Sequence, residues 1–121
     1  MTQEELEGNK LVAIYMDASI TDIPGMQKPI VYPVNGGNSV FLTRLKYHKS
    51  MDWLYPVYQK IIQYCVSDKF NKLDIYRKML IEEQEEMISF VLNRGESVQS
   101  IFKEIVEWIK IYNEKVLEDD K

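Results

Sequence analysis

One cysteine, Cys65, and one histidine, His48, are all that the sequence has of the thiol and imidazole ligands. A single thiol excludes an intramolecular disulfide and a cysteine-built metal cage, and His48 has no His or Cys partner for a zinc site. No apolar run approaches the roughly 18 to 20 residues of a membrane-spanning helix. The nearest candidates are broken by Lys60, Glu107 and Lys110. A glycine-rich phosphate loop and a nucleophile elbow are also missing. Positive charge is in short supply: 15 Lys and Arg against 19 Asp and Glu leave a net charge of −4. The molecule as a whole therefore repels nucleic acid and anionic membrane, and only a local basic patch can reverse that. The first residues show no charged start followed by an apolar run, so the expectation is a reduced, cytoplasmic protein.

What is present suits one folded domain. The 121 residues are 45% apolar and 28% charged, the balance of a globular chain too short for two ordinary domains. The expected fold class is α+β, a single domain over 1–121 with frayed ends at about 1–8 and 118–121. A β-hairpin over about 29–48 packs against helices over about 9–17, 50–66 and 97–117. Thr2 and Glu5 are spaced as in a capping box, but Gly8 and Asn9 interrupt before the apolar residues begin, so Asn9 is preferred as the cap of the first helix, whose stripe includes Leu11, Ile14 and Tyr15. Residues 18–28, with Pro24 and Gly25, read as a loop. The β-branched run from Ile30 to Val34 and the run from Val40 to Thr43 flank Asn35-Gly36-Gly37-Asn38, a hairpin signature. Pro29 and Pro33 share parity, which puts the first of these strands at a sheet margin. In the second, Phe41, Thr43, Leu45 and Tyr47 alternate with Leu42, Arg44, Lys46 and His48, giving an inward face and a mostly basic outward one. Ser50 caps the next helix, with Leu54, Val57, Tyr58, Ile61 and Cys65 as its stripe and Pro56 loosening its first turn. In 70–93, Ile88, Phe90 and Leu92 suit a strand, but the propensity of the run Glu82 to Glu86 decides for mostly helix. The last helix is the clearest, with Ile101, Phe102, Ile105, Trp108, Ile109 and Tyr112 at core spacing.

Three pieces carry a resemblance: Asn-Lys-Leu-Val-Ala-Ile-Tyr-Met at 9–16, Lys-Tyr-His-Lys-Ser-Met-Asp-Trp-Leu-Tyr-Pro-Val-Tyr-Gln-Lys-Ile at 46–61, and Ile-Val-Glu-Trp-Ile-Lys-Ile-Tyr-Asn-Glu at 105–114. They resemble an uncharacterised family of short phage and prophage proteins with NKLIAEFM, YHxSWDWLMPVVEKI and VVEFIKWYNE motifs. The pieces cover about a third of the chain. Met51 stands where that pattern has Trp, and Tyr55 where it has Met. The resemblance implies a phage-associated protein of the host cytoplasm and a shared fold, and it brings no catalytic role with it. Between 67 and 96 the match fades, because the family has strands there.

His48, Ser50 and Asp52 lie within five positions, but adjacency in sequence does not build a triad, and each has a structural explanation. Arg44, Lys46, His48 and Lys49 form the one concentrated basic patch, ahead of a helix start, and are the candidate residues for binding an anion or a partner. Residues 26–80 carry nine Lys and Arg against three acids, and 81–121 carry five against eleven. Glu82, Glu83, Glu85 and Glu86 read as a solvated helix face, and Cys65 as a core residue. No catalytic, metal or cofactor residues are assigned. The reading is a non-enzymatic, phage-associated accessory protein acting by protein–protein interaction, with a host or phage protein as partner and self-association as a further option. The alternatives are a small ligand-binding or enzymatic domain that recognises a phosphate-bearing molecule, nucleotide or nucleic acid through 44–49, and a structural virion component. A concave pocket beside the patch would favour the ligand-binding alternative.

Overall fold

Thr2 starts the first helix. Its Oγ1 accepts the Glu5 backbone N–H and the Glu5 carboxylate accepts the Thr2 N–H, so two donors otherwise unpaired at a helix start are satisfied. Helix α1 runs Gln3–Tyr15 in the computed structural model, which describes residues 1–25 and 28–117. This corrects two expectations: the chain is ordered in a helix from residue 3, and Asn9 is a fully buried interior residue, not a cap. The expected fraying at 118–121 lies outside the described residues. Gly8 has a packing reason, since a Cβ there would meet Cζ of Phe102 at 2.6 Å. Asp17, at φ 67°, ends the helix. The Lys60 ammonium donates to the Tyr15 carbonyl and lies 3.2 Å from Asp17 Oδ2, a cation at the negative end of α1.

Part of the expected loop is a strand. β1 (Ser19–Thr21) pairs antiparallel with β2 (Ile30–Val34), which pairs antiparallel with β3 (Asn38–Phe41), in the order β1-β2-β3. The hairpin is therefore shorter than 29–48, and β2 is central, not marginal. The ladder tolerates Pro33 because β1 ends opposite Tyr32 and the pairing with β3 shifts register between Val31 and Val34. The turn is made by Asn35, Gly36 and Gly37, all at positive φ. Beyond Phe41 the expected strand gives way to a 3-10 turn at Leu42–Arg44. Leu42 on that turn, and Leu45, Tyr47 and His48 beyond it, are buried.

Helix α2 (Met51–Cys65) buries Leu54, Val57 and Ile61. Ser50 occupies the N-cap position, but its side chain makes no capping hydrogen bond. Only its carbonyl works there, accepting from Trp53 and Leu54. Ser50→Ala should therefore change stability by less than about 0.5 kcal/mol, not the ~1 kcal/mol of a lost cap, in chemical denaturation.

The middle segment is helical, as expected. Ser67 caps the short α3 (Asp68–Asn71), and Asp74 caps α4 (Ile75–Asn93). The strand that Ile88, Phe90 and Leu92 would also suit is not formed. Ser97 caps α5 (Val98–Tyr112), which ends in one π turn, Asn113–Leu117. Helix α5 packs against α4, α1 and α2 and supplies Ile101, Phe102, Ile105, Val106, Trp108 and Ile109 to the core of this small single α+β domain. Trp108 is fully buried, stacked on Tyr112 at 5.3 Å and met edge-on by Tyr15 and Tyr64. Burial pushes the half-buried Cys65 thiol up to about 12, which keeps it protonated at neutral pH. Among the described residues no helix is long and apolar enough to cross a membrane.

Candidate functional site

The four residues of the expected basic patch part company in three dimensions. Arg44 ends the 3-10 turn, and Lys46 and Lys49 lie on the turn before α2, where the Lys46 carbonyl accepts the N–H groups of Lys49 and Ser50. All three side chains are exposed. His48 points the other way and is only 7% exposed. The alternating strand face on which the patch was expected does not exist, because the chain leaves the sheet at Phe41.

His48 is held by α1. Asn9 Nδ2 donates to the Glu5 carbonyl at 2.9 Å and to His48 Nδ1 at 2.8 Å. The reverse orientation of the amide would set its oxygen against the Glu5 carbonyl, so both hydrogens are committed and His48 Nδ1 is the acceptor. The imidazole is then neutral, with its proton on Nε2. Burial lowers its pKa, Glu5 opposes that shift, and Lys49 and the N-terminus add to it. The Phe102 ring meets the imidazole edge-on at 6.2 Å. His48 thus joins α1, the turn and α5, and with Nδ1 occupied by Asn9 it takes no orienting carboxylate at that nitrogen.

Arg44, Lys46 and Lys49 line none of three concavities in the fold. The largest, about 740 Å³, lies between α1 and α5, with Gly8, Leu11, Phe102 and Val106 among its lining residues. A second, about 630 Å³, lies between the β2–β3 turn and α2 and includes Tyr47, Asp52 and Pro56. The third, about 390 Å³, adjoins Lys60 and Tyr112. Changing Arg44, Lys46 and Lys49 together to Ser should leave the unfolding temperature within about 3 °C, since exposed charges contribute little to stability. Any phosphate or nucleic-acid binding at this turn should fall with the charge and lose its salt dependence. Equal binding by the triple variant and its parent at low salt removes the ligand-binding alternative.

The most conspicuous surface is on α4. Its inner side buries Ile81, Ile88 and Val91. There Gln84 donates to the Glu104 carbonyl and carboxylate at 3.0 and 2.7 Å, and Glu85 accepts from the Tyr58 hydroxyl at 3.2 Å. Its other side carries Tyr76, Met79, Met87 and Phe90, which are 63, 53, 47 and 51% exposed. Steps of three and four place these residues and Glu83 on one stripe. Arg94 lies 5.2 Å over the Phe90 ring at its end. Glu82, Glu83 and Glu86 are exposed, so the acidic run divides, with Glu85 turned to a partner inside and the others to solvent. Among the described residues no group of three or more acids, His or Cys is arranged to hold a metal ion.

Sequence reasoning decides only that 70–93 is mostly helical and does not mark this outer face. The signal was available as weak amphipathicity: α4 has apolar residues on two sides, where a helix with one buried face has them on one. Compared with known proteins, the chain matches no family model, no curated protein and no solved structure. The fold and surface together define a small α+β domain that presents an apolar, acid-bordered helix face to solvent.

Proposed function

We propose that this is a non-enzymatic accessory protein that acts by protein–protein interaction through the outer face of α4. The observation that carries the reading is the stripe of Tyr76, Met79, Met87 and Phe90. Single exposed apolar residues are ordinary, but four that follow one helix face are what interaction surfaces present. Aromatic residues and Met are also the types enriched at the centres of interfaces. The resemblance of 9–16, 46–61 and 105–114 to short phage and prophage proteins supports an accessory role in the cytoplasm of an infected host, with a host or phage protein as the partner.

The test is a pull-down from the native host with the parent and with Met79→Ser/Phe90→Ser, read by quantitative mass spectrometry. Both residues are about half exposed, so the double variant should melt within about 3 °C of the parent. At least one protein held by the parent should fall by tenfold or more with the variant, the loss expected when interface anchors are truncated. Identical captures by the two would overturn the reading.

A further inference from the structure

We infer that the outer face of α4 docks a basic amphipathic helix of another protein; this rests on the reading of that face as an interaction surface and adds the chemistry of its partner. The backbone of α4 is paired within the helix, so there is no strand edge to extend and recognition must run through side chains. From Tyr76 to Phe90 the stripe spans about 21 Å at the helical rise of 1.5 Å per residue. That is about four turns, and a second helix laid alongside can answer each exposed side chain with one of its own at i, i+3, i+4 and i+7. Two of the four anchors are Met, an unbranched side chain that fits itself to varied partners.

Charge decides between occupants. Glu83 stands within the stripe between Met79 and Met87, with Glu82 and Glu86 beside it, and all three are exposed. Of the two cations at the start of α4, Arg77 is paired with Asp74 at 3.4 Å, and Lys78, one turn before Glu82, can answer at most part of the charge of the three acids. A second copy whose stripe fully overlaps this one, parallel or antiparallel, sets acidic centre against acidic centre and is penalised by like-charge contact. A helix with apolar anchors flanked by Lys or Arg meets the same centre with opposite charge and leaves the apolar rows to pack.

The test uses two fluorescently labelled 18-residue synthetic amphipathic helices of identical apolar pattern, one built from Leu and Lys and the other from Leu and Glu. Binding to the full chain is followed by anisotropy, and the mass of the unliganded protein by sedimentation. The parent should bind the Leu/Lys peptide in a salt-sensitive manner, bind the Leu/Glu peptide at least tenfold more weakly, and sediment as a monomer. Affinity for the Leu/Lys peptide should fall tenfold or more in Met79→Ser/Phe90→Ser and in Glu82→Gln/Glu83→Gln/Glu86→Gln. It should stay within twofold in Glu4→Gln/Glu7→Gln/Glu114→Gln, which removes as many charges elsewhere. Loss in the Ser variant without loss in the Glu82/Glu83/Glu86 variant keeps the docking face and overturns the basic partner. Equal loss in the two Gln variants also overturns it, as does a parent dimer that the Ser variant dissolves. No effect of the Ser variant on either peptide binding or host capture overturns the inference and the proposed function together.

Discussion

Replacing Trp108 with Ala should lower the unfolding free energy by about 3–5 kcal/mol, the cost of truncating a large aromatic side chain in a packed core. For a domain whose whole stability is of the order of 5–15 kcal/mol, that is a large share of it. The unfolding temperature should drop by about 10–25 °C. Trp108 is fully buried and touches three other aromatic rings, from α1, α2 and α5 itself, so the loss propagates across the contacts that hold these helices together. Its indole Nε1 is buried without a hydrogen-bond partner among the described residues. Part of the burial energy of Trp108 is therefore offset by a donor taken from water and left unpaired. Trp108→Phe removes that donor and keeps a ring in the site, and it should cost less than half as much as the Ala variant. Thermal unfolding of the two variants and the parent checks both statements. A Trp108→Ala protein that melts within two degrees of the parent would remove Trp108 from the core.

The second large effect is at Asn9. Its amide ties α1 to His48 across 39 residues of sequence, and Asn9→Ala leaves His48 Nδ1 buried without that donor. The expected cost is about 1–3 kcal/mol, read from urea denaturation. The burial of the imidazole also sets a pH dependence. Burial holds the folded-state pKa of His48 below its ordinary value of 6.5, so the unfolded chain binds the proton more readily than the folded one. The stabilisation is therefore complete above about pH 6.5 and is lost as the pH falls from there toward the folded-state value. Glu5, whose carboxylate is held low by the Thr2 N–H and hydroxyl, contributes only near and below its ordinary 4.5. Denaturation midpoints at pH 7.5 and 5.5 thus isolate the histidine. The parent should be less stable at pH 5.5, and His48→Gln, which cannot titrate, should lose most of that difference. A parent with equal midpoints at the two values would show that the imidazole charges without penalty.

The three long-range features that matter most were invisible along the chain. Asn9 looked like a cap because it precedes an apolar stripe, yet Thr2 and Glu5 already begin the helix, and Asn9 falls on the side that meets the turn carrying His48. The basic residues between 41 and 49 alternate in sequence as a strand would. Tertiary packing instead buries Leu42, Leu45 and His48 at a spacing of three, which turns the imidazole inward and leaves Arg44, Lys46 and Lys49 outside. Strand β1 has one partly buried apolar residue, Ile20, and becomes a strand only because β2 offers it an edge.

The sequence by itself determined the α+β class, the Asn-Gly-Gly turn, the α2 stripe and the apolar face of α5, because each rests on a local period or on backbone preferences read within a few residues. It also favoured helix for most of 70–93, since the propensity of its Glu-rich centre is a local property. Which of the two apolar sides of α4 faces inward was decided only in the tertiary structure. The helix is nearly as apolar on one side as on the other, and it was packing against α5, through Ile81, Ile88 and Val91, that buried one side and left Tyr76, Met79, Met87 and Phe90 in water.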